Sequence, residues 1–160
     1  MITVPLILVI STGLFFFYLQ ATCQRILRRE FEQDFFRFIV KANSLEFPLV
    51  RKDVETFGAP ANYPLLARTL KCDFLALAYL VKNAANISQR YSYQERLLML
   101  YFRLVFASLT ARHWLKLGVA PATLKLTAVL EYFANVVGER VTTVAYGKLK
   151  TEDVAVPLRP

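Results

Sequence analysis

A chain of 160 residues, 56% apolar and carrying a net charge of +8, is long enough to bury a real core and too hydrophobic to be a disordered tail. Its 20 Lys and Arg against 12 Asp and Glu favour contact with anionic lipid, an acidic protein or nucleic acid, the lipid surface being the simplest. Two cysteines exclude a disulfide framework, no Cys/His spacing resembles a zinc site, and sparse Gly (5) and Pro (7) favour helix.

The chain opens on a charge-free run from Ile2 to Gln24, of which Ile2–Ala21 is almost wholly apolar. About 20 apolar residues in a helix rise roughly 30 Å, the hydrocarbon thickness of a bilayer. Arg25, Arg28 and Arg29 follow at once, and Tyr18 marks the headgroup level. A cleaved signal peptide is disfavoured, because Lys and Arg are missing before the apolar run and flank its far end instead. The positive-inside rule then predicts a membrane anchor over 1–24 with the N-terminus outside and the following domain in the cytoplasm. Cys23 falls at the interface, where a thiol can be palmitoylated but is more simply an apolar interface residue. Cys72 reads as a small core side chain.

Nothing between Thr22 and Lys41 breaks a helix, so the anchor is expected to run on to about Ala42. Phe31, Phe35 and Phe38, at i, i+4 and i+7, form an aromatic stripe that either packs on the domain or docks another subunit. Pro48 to Phe57 predicts a short helix closed by Gly58, and Pro60 and Asn62 lead into the next. That helix covers Tyr63–Ala85, with Leu66, Leu70, Phe74, Leu77 and Val81 as its core face. Asn86-Ile87-Ser88 matches a glycosylation acceptor, which a cytoplasmic domain never presents to the machinery.

Ser92-Tyr93-Gln94-Glu95 is a capping box opening a helix to about Leu117, with Leu98, Phe102, Val105 and Leu109 inward and Gly118 as its stop. The last helix spans Pro121–Arg140 and buries Leu126, Val129, Leu130, Phe133 and Val137. Residues 141–160, mixing β-branched residues with Pro157 and Pro160, read as an extended tail. The apolar runs Phe74–Val81 and Leu97–Leu109 are too short for further spans, and Arg103 interrupts the second.

No catalytic motif emerges. The single histidine, His113, lies between Arg112 and Trp114 with no spaced nucleophile or carboxylate to work with. Phosphate loops, GxSxG and HExxH are missing, so no enzyme, cofactor or metal is expected. Arg90-Tyr91-Ser92-Tyr93 could stack on bases, but basic residues are spread along every helix, and nucleic acid is disfavoured as a partner.

The resulting expectation is an all-α chain: one transmembrane helix continuing into a small cytoplasmic antiparallel bundle over 25–140. Surplus apolar residues outside the core stripes suggest a partner face made of Phe31, Phe35, Phe38, Leu97, Tyr101, Leu104 and Trp114. The expected role is a non-catalytic accessory subunit docking on a larger membrane complex or on itself. Arg25, Arg28 and Arg29 would touch anionic headgroups. The alternatives are a lipid- or hydrophobic-ligand-binding protein at the membrane surface and a membrane-tethered nucleic-acid binder.

Overall fold

A computed structural model describes residues 3–31, 34–58, 62–83 and 91–154, with side chains described between 4 and 144. Among these residues there are six helices and no strand. They are α1 (Thr3–Leu27), α2 (Phe36–Ala42), α3 (Phe47–Phe57), α4 (Tyr63–Asn83), α5 (Tyr93–Trp114) and α6 (Ala120–Val154). Pro60, Asn86-Ile87-Ser88, Arg90, Pro157 and Pro160 lie outside the described residues.

The fold is organised around α6, which packs against all five other helices. Its sequence explains this: a one-sided stripe suits a peripheral helix, but here Tyr132 through Gly138 are buried in succession, as a central helix requires. The expected stripe residues Leu126, Val129, Leu130, Phe133 and Val137 are all at most 2% exposed. Burying each contributes about 1.5–3 kcal/mol. The ion pairs that α6 makes at the surface, Arg51 with Glu131 and Arg29 with Glu139, join half-exposed side chains and are worth roughly 0–1 kcal/mol each. Apolar burial therefore holds α6 in place, and the ion pairs trim its edges.

The core face of α4 is the expected one, with Leu66, Leu70, Phe74, Leu77 and Val81 all buried. Phe74 stacks on Phe102 of α5 with ring centroids 4.0 Å apart and lies 6.2 Å from Phe133 of α6, so one aromatic cluster joins three helices. Cys72 is exposed on the outer side of α4 rather than in the core. Helical phase decides this: Cys72 sits between the inward pairs Thr69–Leu70 and Asp73–Phe74.

Two buried polar links fix the helix ends. Glu95 closes the capping box with Ser92 at the start of α5, and its other carboxylate oxygen accepts from Arg140 of α6. Arg140 also donates to the Val81 carbonyl in the last turn of α4, so one guanidinium ties two helix ends to the central helix. Asp73 accepts the backbone N–H groups of Glu46 (3.0 Å) and Phe47 (2.7 Å), which caps α3 from the neighbouring α4. Pro48 lies in the first turn of α3, and Gly58 at φ +70° closes it.

Three expectations about helix ends are also corrected. The helix from the anchor does not continue to Ala42. It ends at Leu27, where the Arg29 N–H reaches back only to the Ile26 carbonyl, and α2 begins at Phe36 with its N–H bonded to Asp34. Tertiary contacts redirect the chain here: Phe31 packs edge-on against Tyr132, Arg29 pairs with Glu139, and Phe35 lies over Gly138.

The second correction concerns α5, which stops at Trp114 rather than Leu117. Lys116 takes the left-handed conformation (φ +56°), the Leu117 N–H bonds to the Arg112 carbonyl, and the Lys116 N–H bonds to that of His113. This is a Schellman ending with lysine where glycine is usual.

Third, α6 does not end at Arg140 but continues to Val154, so residues 141–154 are helical and not an extended tail. No proline interrupts it before Pro157. The Thr142 and Thr143 hydroxyls donate to the carbonyls of Gly138 and Glu139, so these β-branched residues are satisfied inside the helix.

Candidate functional site

α1 is the one helix among the described residues long and apolar enough to cross a membrane, over Val4–Leu27. Its two parts differ sharply. Val4 through Tyr18 is exposed at every residue, including Phe17 at 74% and Tyr18 at 73%. From Leu19 (5%) and Cys23 (0%) onward one side of the helix is built into the core against α5 and α6. The charge-free segment is therefore part free helix and part domain.

Where the two parts meet, α1, α5 and the start of α6 enclose an open groove of about 570 Å³. Phe16, Leu19 and Gln20 form its α1 wall. Along α5 it follows Tyr101, Leu104, Val105, Ser108 and Ala111, and Pro121 and Ala122 close it from α6. The space exists because α5 offers small side chains, Ala107, Ser108 and Ala111, where a core helix would carry Leu or Phe. Arg112 and Lys125 supply the only charges in the lining, which contains no carboxylate. From Arg96 to Leu130 the sequence holds no Asp or Glu at all, against Arg96, Arg103, Arg112, Lys116 and Lys125. The groove lining is therefore electrostatically one-signed.

Just beyond the groove, the turn between α5 and α6 carries three exposed apolar side chains close together in the chain. Trp114 is 83% exposed, Leu115 69% and Leu117 54%. The turn is nevertheless shaped: Arg112 donates to the Gly118 carbonyl, and His113 stacks flat on Tyr63, rings 3.7 Å apart and 4° from parallel. Tyr63 in turn donates to the Thr110 hydroxyl. His113 thus braces the α4–α5 contact. Among the described residues no group of three His, Cys, Asp or Glu side chains is arranged to hold a metal ion.

The residues expected to form one partner face are dispersed. Phe31 and Phe35 are half-buried on α6, and Tyr101 is 4% exposed, at the back of the groove. Burial also pushes the Tyr101 phenol above its ordinary pKa. Leu97 and Leu104 are half-buried, Leu104 in the groove wall; only Phe38 (68%) and Trp114 stand fully exposed. The expected interface residues Tyr18, Arg25, Arg28 and Arg29 are all exposed, and Arg29 is in addition held by Glu139, 5.2 Å from the Phe31 ring centroid. Sequence reasoning missed the groove. The signal available was the pairing of small residues Ala107 and Ala111 at i, i+4 inside an acid-free stretch.

A second, smaller pocket of about 390 Å³ lies beside the Arg140–Glu95 and Arg29–Glu139 pairs. Its charged groups already answer one another, so it presents structural links more than an open site. Comparison with protein-family models, curated proteins and solved structures finds no match to this chain.

Proposed function

We propose that the chain is a single-pass membrane protein, N-terminus outside and helical bundle in the cytoplasm, acting as a non-catalytic accessory subunit of a larger membrane complex or of a homo-oligomer. One observation carries this reading: the inner end of the apolar helix, at Leu19 and Cys23, is built into the core of the domain. A flexible tether would let the domain diffuse around its anchor. A fused helix holds it at one height and orientation on the bilayer, as a docking subunit needs. Arg25 and Arg28, exposed just past the apolar run, support the inward orientation and can meet anionic headgroups. Phe38, exposed on α2 and outside the groove lining, is the member of the expected partner face left free to meet a protein partner.

The test is extraction of native membranes in mild detergent, a native gel, and mass spectrometry of the band. A defined assembly well above the 18.3 kDa of the chain supports the proposal, and a lone monomer in every mild detergent overturns it. A second reading, a lipid- or hydrophobic-ligand-binding protein, is favoured by the groove between α1, α5 and α6. A phospholipid retained by the purified protein in native mass spectrometry would support that reading.

A further inference from the structure

We infer that the α5–α6 turn is a second membrane contact, and that bilayer lipid with an anionic headgroup fills the groove between it and α1. The inference rests on α1 crossing the membrane and is independent of the accessory-subunit reading.

The exposed part of α1 ends at Tyr18, but its charge-free run continues to Gln24, about 9 Å further along the helix. The remaining charge-free residues up to Gln24 lie where α5 and α6 already pack on the helix. For the whole charge-free run to stay out of water, the groove end of the domain must sit at the inner edge of the hydrocarbon. The residues found there suit that place. Trp114, Leu115 and Leu117 are apolar and exposed, and tryptophan favours the headgroup boundary. Arg112 and Lys125 line the groove with no carboxylate beside them in the lining, and Lys116 adds a positive charge in the turn itself. The groove is continuous with the exposed face of α1 through Phe16, so an acyl chain can enter it from the bilayer without crossing water.

Trp114 is the only tryptophan in the chain and reports on its own surroundings. Full-length protein is reconstituted into phosphatidylcholine vesicles with and without phosphatidylglycerol, using acyl chains brominated or not. Insertion of α1 is read separately, by co-flotation with vesicles after alkaline carbonate washing. The expected result is blue-shifted Trp114 emission, quenched by brominated chains, shielded from aqueous acrylamide, and quenched more deeply when phosphatidylglycerol is present. The double variant Leu115→Ser with Leu117→Ser, at two exposed positions, should return Trp114 to acrylamide while the protein still floats.

Protein that floats with Trp114 open to acrylamide overturns the inference and leaves the anchor standing. Protein that does not float overturns both. Emission that is blue-shifted yet quenched by neither agent means a second copy of the chain covers the turn, which also overturns it. Equal quenching with and without phosphatidylglycerol overturns the anionic preference.

Discussion

At the scale of single residues, two positions do more than their type suggests. Gly138 lies within a helix, where alanine ordinarily gains about 1 kcal/mol over glycine. A methyl group there would come within 2.1 Å of the Phe35 Cβ and 2.4 Å of its Cγ. Cβ is fixed by the backbone, so a rotamer change cannot relieve the clash; the α1–α2 connection must move. Overpacking of this kind costs about 1–3 kcal/mol and typically outweighs the propensity gain. Gly138→Ala should therefore lower the thermal midpoint in detergent, and an unchanged or raised midpoint would show that Phe35 is not held where it lies.

Asp73 is the second. Burial raises its carboxyl above the ordinary 3.8, outweighing the N–H groups of Phe47 and Glu46 that favour the charged form, while the Glu46 carboxylate adds to the rise. The folded state thus holds this proton more tightly than the unfolded state. The group's contribution is complete below 3.8 and is lost as pH rises through the folded value. The thermal midpoint of the parent minus that of Asp73→Asn should accordingly fall as pH climbs from below 3.8 towards neutrality. A difference that stays flat or grows would contradict the assignment. Neither residue announced itself in the sequence, because the partners of both are brought up by other helices.

At the scale of elements, helix starts and stops were legible wherever the signal is local. The Ser92–Glu95 box, Pro48 in the first turn of α3 and Gly58 at its end need only neighbours in the chain, and all three are found. The breaks set by tertiary contacts were not legible. Ser44 and Lys116 both take left-handed backbone (φ +51° and +56°), ending α2 and α5 without glycine. The stop of α5 was expected at Gly118, the residue type that adopts this conformation freely, and it came two positions earlier. An L-residue in this conformation costs about 1–2 kcal/mol, and glycine gives back about half of that relief as unfolded-chain entropy. Lys116→Gly should stabilise the fold by about 0.5–1 kcal/mol, read as a small rise in midpoint. A fall would mean that the lysine side chain is itself needed at the turn.

At the scale of the whole molecule, hydropathy marked the apolar helix and the inward stripes of α4 and α6, because those depend on period alone. It did not reveal that the end of the apolar helix belongs to the core, since an apolar residue reads the same whether lipid or protein covers it. The two cysteines separate these surroundings and also report orientation. Cys23 is fully buried at the junction, whereas Cys72 is exposed on α4. With the N-terminus outside, a membrane-impermeant maleimide should leave intact cells unlabelled. It should modify Cys72 alone once the cytoplasmic face is opened, and both thiols only after denaturation. Labelling of intact cells would reverse the orientation. Modification of Cys23 in the folded protein would separate the apolar helix from the core and overturn the proposal that the domain is held at one height on the bilayer.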